Sequence, residues 1–150
     1  MQSKIHDFTQ DDYQAVVDID NAEYPDYPGT VEEARFQDQA RDPKCRFRRW
    51  VAEIEGRVVA YANYDQWSGQ YHPRKFTLYS VVHPSYRGRG IGKALYAEVI
   101  EALKEFDPLS LRSNSQESRP RAIRFLTDRG FKEDTRTWES RLHIDEFDLS

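Results

Sequence analysis

Cysteine is nearly absent from this sequence. A lone Cys45 cannot close a disulfide within the chain, and without a histidine nearby in sequence it reads as inert rather than nucleophilic. Histidine is spread as thinly. His6, His72, His83 and His143 show no ligand spacing, so no structural metal is expected. Long apolar runs are missing too: nothing approaches the roughly 20 residues that cross a bilayer. Met1-Gln2-Ser3-Lys4 leads into a polar segment rather than a signal sequence, so no membrane association is expected and the cytoplasm is the expected address. A surplus of positive charge is also lacking. The formal net charge is −4, which offers nucleic acid and anionic lipid no general attraction. No repeat, low-complexity tract or composition break divides the chain, and 150 residues suit a single domain, 1–150, with a sizeable core.

What is there argues for a folded unit with a packed core. Aromatics make up 13% of the chain, far too many for a disordered one. Charge is placed unevenly: residues 1–45 carry eleven acids against four Lys and Arg, a balance of −7, which leaves +3 for the rest. The second part is therefore the expected receiver of an anion.

Local signals predict the elements. Lys4 to Phe8 alternates as a strand, and Thr9 with Asp12 opens a helix to about Glu23, with Tyr13, Val16, Val17 and Asp20 on its inner face. Tyr24-Pro25-Asp26-Tyr27-Pro28-Gly29 breaks it. Thr30 and Glu33 cap a second helix closed by Asp42-Pro43. From Phe47 the period becomes two, and Arg48–Ile54 and Arg57–Tyr64 read as a hairpin around Glu55-Gly56. Phe76–Val82, rich in β-branched and aromatic residues, reads as a central strand. Ile91, Ala94, Leu95, Val99 and Leu103 recur at helical spacing; a short strand at Leu109–Arg112, a last helix through Ala122, Ile123, Phe125 and Leu126, and a closing strand at Thr137–Ile144 complete an α/β order.

Between the central strand and its helix lies Arg87-Gly88-Arg89-Gly90-Ile91-Gly92-Lys93. A helix starting near Gly90 aims unpaired N–H groups and the positive end of its dipole at this loop. Glycines let a phosphate approach the backbone, and Arg87, Arg89 and Lys93 add charge that suits a pyrophosphate. The plain alternative is a tight strand-to-helix turn. Two other phosphate loops fit poorly. A Walker A loop needs glycine where Arg87 stands and Ser or Thr where Ala94 stands; a dinucleotide fingerprint counted from Gly88 needs glycine at Lys93.

The run Val82-His83-Pro84 followed by Arg87 to Gly92 resembles the acetyl-CoA signature Gln/Arg-x-x-Gly-x-Gly/Ala of the GNAT family of N-acetyltransferases. Phe125 to Phe131 is similar to that family's late helix ending in Gly-Phe. The resemblance spans nearly the whole chain, with residues 1–45 matching only in the order of elements. It implies a mixed, mostly antiparallel sheet flanked by about four helices, in the order β-α-α-β-β-β-α-β-α-β. It also implies direct transfer of acetyl from acetyl-CoA, as acyl donor, to a primary amine of a small molecule or peptide.

By the same resemblance, Ser80, Val81 and Val82 pair with pantetheine, and Arg87, Gly88, Arg89, Gly90, Ile91, Gly92 and Lys93 hold the pyrophosphate. The Val82 N–H would face the thioester oxygen. The family's usual tyrosine for protonating the thiolate is replaced by Leu126, and a pantetheine-contacting asparagine by Arg119. Tyr79 is the substitute acid. For the base, Asp20, Glu23, Asp65 and Glu117 are candidates, with Glu117 placed beside Tyr79 in the catalytic set. The acceptor site is expected between the 24–29 and 66–73 loops, with Asp20, Glu23, Tyr24, Tyr27 and Trp67 binding a cationic amine and Tyr71 adding a ring. Two other readings stay open: a CoA-binding module without transfer chemistry, and a basic contact loop for nucleic acid, which the net charge disfavours. A homodimer is one assembly open to the chain.

Overall fold

The structure, a computed structural model, describes residues 3–26, 28–66, 69, 71–114, 132–133 and 139–143. Strand β1 (Lys4–Asp7) leads through a 3-10 turn at Gln10–Asp12 into helix α1 (Tyr13–Glu23). The Thr9 N–H donates to the Asp12 carboxylate at 2.9 Å, which is the local contact its spacing predicts. Tyr13, Val16, Val17 and Ile19 turn inward. Helix α1 stops at Tyr24 because a residue before proline is pushed from helical dihedrals, here to φ −126° and ψ 68°.

Helix α2 (Val31–Gln39) starts where the Thr30 side chain accepts from the Glu33 N–H at 3.2 Å, and it ends before Asp42-Pro43 is reached. It buries no residue. Its attachment is electrostatic instead. The Asp38 carboxylate accepts from Tyr13 of α1 at 2.7 Å and from Arg49 at 3.1 Å, with Arg41 adding a third contact at 2.9 Å.

Strands β2 (Arg48–Ile54) and β3 (Arg57–Asp65) form the expected hairpin, and Glu55 and Gly56 both take positive φ, 54° and 81°. That backbone twist suits a two-residue connection. Strand β4 (Lys75–Val82), helix α3 (Ile91–Leu103) and strands β5 (Ser110–Asn114), β6 (Lys132–Glu133) and β7 (Glu139–His143) follow. The sheet order is β1-β2-β3-β4-β5-β7-β6. Every neighbouring pair is antiparallel except β4 and β5, so the sheet is mixed and mostly antiparallel as expected. Strand β6 was not anticipated, and the helix expected through residues 122–126 lies outside the described residues.

Alternation along the strands divides the core into two layers. On one face Trp50, Ala52, Ala60, Ala62, Tyr64, Phe76 and Leu78 meet Ile91, Leu95, Val99, Ile100 and Leu103 of α3. Ala52, Ala60 and Ala62 are fully buried, and their small side chains leave room for the larger ones of the helix. On the other face Val51, Tyr61 and Val81 meet Val16 and Ile19 of α1. Among the described residues no helix is long and apolar enough to cross a membrane.

Candidate functional site

The strand pair at the centre of the sheet comes apart. Among the described residues, strands β4 and β5 pair through Lys75↔Ser110, Phe76↔Leu111 and Thr77↔Arg112 and no further. Beyond that point β4 continues to Val82 with β3 as its one neighbour among the described residues, while β5 continues to Asn114 on β7. A gap therefore opens along the second half of β4. The His83 N–H donates to the Val59 carbonyl at 2.8 Å, which sets the phase of the ladder. Antiparallel alternation then turns the peptide groups of Thr77, Tyr79 and Val81 toward β3, and those of Ser80 and Val82 toward the gap.

At the end of β4 the chain makes a 3-10 turn, Pro84–Tyr86, capped by His83 Nδ1, which accepts from the Ser85 N–H at 3.1 Å. His83 is thus occupied in the turn. Gly88 and Gly90 take positive φ, 79° and 78°, and Gly90 is the residue just before α3. A β-carbon built on Gly90 meets nothing within 4 Å, so the demand for glycine there is conformational rather than steric. The first helical hydrogen bond runs from the Ala94 N–H to the Gly90 carbonyl at 3.1 Å. The N–H groups of Ile91, Gly92 and Lys93 consequently have no partner inside the helix. Residues 87–90 and Lys93 are exposed, whereas the Ile91 side chain is buried and anchors the helix start. Arg89 lies over the Tyr86 ring, 5.1 Å from its centroid. Arg87 forms an ion pair with Glu23, joining the loop to the end of α1.

A second set of groups gathers on the α1 face beside β4. The Tyr61 hydroxyl donates to Asp20 at 2.6 Å, and the rings of Tyr61 and Tyr79 stand 6.0 Å apart. Tyr24 and Tyr79 both pack against the cluster that holds Tyr61. Burial raises the Asp20 carboxyl above its ordinary value, against the opposing pull of Tyr61 and Arg49. Burial likewise pushes the Tyr61 and Tyr79 phenols far above theirs. Asp65 is raised by burial as well, with Arg41 3.6 Å away.

The residues singled out from the sequence thus fall into two groups. Ser80, Val81, Val82 and the stretch from Arg87 to Lys93 line one continuous strand-turn-helix; Asp20, Glu23, Tyr24 and Tyr79 gather between the end of α1 and β4. Tyr27, Trp67 and Glu117 lie outside the described residues, as do Arg119 and Leu126. Tyr71 is a surface ring beside Lys44, 5.1 Å from its ammonium. Tyr61 escaped notice in the sequence. Its parity with Tyr79 is legible once the register of β3 on β4 is known, but nothing local says which face meets α1. Among the described residues no group of three or more His, Cys, Asp or Glu could hold a metal ion.

Comparison with known proteins bears on the same elements. The model of the acetyltransferase (GNAT) family matches residues 13–131. Solved structures resemble nearly the whole chain: an N-acetyltransferase from Staphylococcus aureus Mu50 has 21% identity and a TM-score of 0.76, covering 96% of this chain and 99% of its own. A ribosomal-protein-alanine N-acetyltransferase from Brucella melitensis has 25% identity and a TM-score of 0.73, covering 93% and 99%. A GNAT superfamily phosphinothricin acetyltransferase from Sinorhizobium meliloti, solved in complex with acetyl-CoA, has 18% identity and a TM-score of 0.76, covering 95% and 89%. A search of curated proteins finds no match. With a family model spanning most of its length and a strand gap leading into a glycine-opened helix, this chain belongs to the acetyltransferase (GNAT) family.

Proposed function

We propose that this protein is an acetyl-CoA-dependent N-acetyltransferase that moves acetyl directly onto a primary amine of a small molecule or peptide. One observation carries the reading: the N–H groups of Ile91, Gly92 and Lys93, which have no partner inside the helix, flanked by Arg87 and Arg89, lie at the end of the gap beside β4. Dipole, donors and cations there suit the diphosphate of CoA. Pantetheine then runs back along the gap toward Ser80 and Val82, whose peptide groups face it. Family membership and the acetyl-CoA complex of the Sinorhizobium meliloti neighbour support the choice of donor.

In this reading the amine attacks the thioester carbonyl, the carbonyl oxygen takes on negative charge, and the Val82 N–H donates to it. A fixed donor of that kind contributes about 3 to 4 kcal/mol where it has been removed. The intermediate collapses with loss of the thiolate, and Tyr79 supplies its proton. The acceptor approaches from the α1 side, past Asp20, Glu23 and Tyr24; Tyr27, Trp67 and Glu117 stay candidates from the sequence alone, the first two for acceptor binding and the last for the base. A thiol titrates near 8.5, so the thiolate leaves readily and a general acid adds only about 10²- to 10⁴-fold.

The test is thermal stabilisation by acetyl-CoA. Saturation at about 100 times Kd should stabilise the parent by about 2.7 kcal/mol, and Arg87→Glu/Gly90→Asp should abolish that gain while keeping the parent's circular dichroism. Equal stabilisation of both proteins overturns the donor site. Thiol release in a panel of amines separates transfer from binding alone, the second reading that Leu126 favours: a protein that only binds is stabilised yet releases no thiol.

A further inference from the structure

The last turn of α1 ties three parts of the molecule together. The Asp20 carboxylate accepts from the Tyr61 hydroxyl of β3 at 2.6 Å, and the Asp20 carbonyl accepts from the Tyr24 N–H at 2.7 Å. The Asn21 side chain clasps Gly29 at both of its polar atoms: Oδ1 accepts from the Gly29 N–H at 2.8 Å, and Nδ2 donates to the Gly29 carbonyl at 3.2 Å. Tyr24 packs on the cluster of Val16, Tyr61 and Val81. The backbone around residue 23 is therefore held from both sides. From this fixed turn the Glu23 carboxylate accepts from Arg87, 64 residues along the chain. Arg87 belongs to the loop at the anion-facing start of α3, yet its guanidinium turns to an acid of the α1 side. Among the described residues it is the one cation of that loop with an acidic partner, and Arg89 lies over the Tyr86 ring instead.

We propose that the Glu23–Arg87 ion pair is an exchangeable link between the two substrate sites: the CoA diphosphate takes Arg87, a cationic amine takes Glu23, and each ligand thereby strengthens the binding of the other. This rests on the acetyltransferase reading and deepens it by naming the acceptor class and the residues that couple it to the donor.

The pair is made through one Arg87 nitrogen, Nη2, and one Glu23 oxygen, Oε2. A diphosphate presents several charged oxygens, which a guanidinium grips with two parallel hydrogen bonds, and it lies against the positive end of α3 as well. It is the stronger partner for Arg87. The Glu23 side chain is 10% exposed against 37% for Arg87, so the acid is enclosed and the cation lies nearer solvent. A carboxylate so enclosed demands a positive partner, and an ammonium, a compact point charge with three donors, supplies one when Arg87 turns to the donor. Either ligand arriving alone must break the ion pair, whereas the second meets its partner already released. Binding free energies linked in this way are coupled reciprocally. Asp20 and Asn21 hold the end of α1, so the exchange is a swing of the Arg87 side chain on a stationary Glu23. A neutral acceptor has no charge to offer Glu23 and shows no coupling.

The test uses CoA itself as donor probe, because without an acyl group it cannot react. Tyramine and an alanine-terminated peptide are the cationic probes, and hydroxylamine, uncharged at neutral pH, is the neutral one. Isothermal titration calorimetry gives the Kd for CoA with and without each amine. In the parent a saturating cationic amine should tighten CoA about three-fold or more, and hydroxylamine should leave it unchanged. Glu23→Gln removes the charge, whereas Glu23→Asp keeps the charge but stops one methylene short of Arg87. Without amine, both variants should bind CoA about three- to ten-fold more tightly than the parent, and adding an amine should then change nothing. Circular dichroism and urea unfolding check that each variant is folded. Tightening in Glu23→Gln alone would mean that Glu23 acts through its field, and it overturns the link. Unchanged or weaker CoA binding in both variants overturns it as well, as does a parent in which neither cationic amine shifts the Kd. In those three cases the acetyltransferase reading stands if the parent releases thiol from acetyl-CoA with any of the amines. A parent that neither binds CoA nor releases thiol overturns both.

Discussion

Asp38 is the residue on which most of α2 depends. The helix buries nothing, so the contacts of this one carboxylate with Tyr13, Arg41 and Arg49 replace the apolar face that usually docks a helix. Burial opposes the charged form, yet the hydrogen bonds from Arg49 and Tyr13, together with the nearby charges of Arg49 and Arg41, outweigh it and lower the pKa below the ordinary 3.8. Asp38→Asn should lower stability by about 2 kcal/mol at pH 7, the scale of hydrogen bonds to a charged group. A depressed carboxylate contributes fully above its unfolded pKa and loses that contribution as pH falls through the folded one. Urea unfolding of parent and variant at neutral and strongly acidic pH should therefore show a gap that closes on the acid side. The Thr9 and Thr30 starts were legible because their partners stand three residues away; Asp38 was not, because Arg49 lies across a loop.

At the scale of elements, α3 carries both the core and the proposed anion site. Leu95 is fully buried against the alanines of β2 and β3 and sits one turn inside the helix start. Leu95→Ala should cost about 2 to 5 kcal/mol through lost burial and the remaining cavity. Denaturant midpoints measure this, and a small loss would mean the layer collapses around the gap. Position 90 follows a different rule. Its positive φ makes Gly90→Ala strained despite the open space, so a loss of about 1 kcal/mol is expected there without any cavity. The hairpin, β4 and α3 were readable to within one residue, since alternation, the Glu55-Gly56 turn and helical periodicity are all local. β6 was not, because a two-residue strand has no period to read.

Across the whole molecule the two core layers separate chemistry as well as packing. The α3 side is almost entirely apolar, whereas the α1 side holds Asp20, Arg49, Tyr61 and Tyr79 next to Val51 and Val81. The uneven charge follows the same division, with −7 carried by residues 1–45, which include α1 and α2. If that field draws a cationic acceptor, raising salt from about 50 mM to about 500 mM should raise KM several-fold for spermidine and leave it unchanged for a neutral acceptor. Equal responses would detach the field from acceptor binding. The sequence by itself determined the order of elements from β1 to β5 and the loop from Arg87 to Lys93, because capping, turn chemistry and glycine dihedrals act within a few residues. Only tertiary structure decided that β4 parts from β5 after Thr77, that Arg87 meets Glu23, and that Asp20 meets Tyr61. Those contacts join residues 35 to 64 positions apart, and strand pairing across the sheet together with the packing of α1 on it, not any local preference, brings them together.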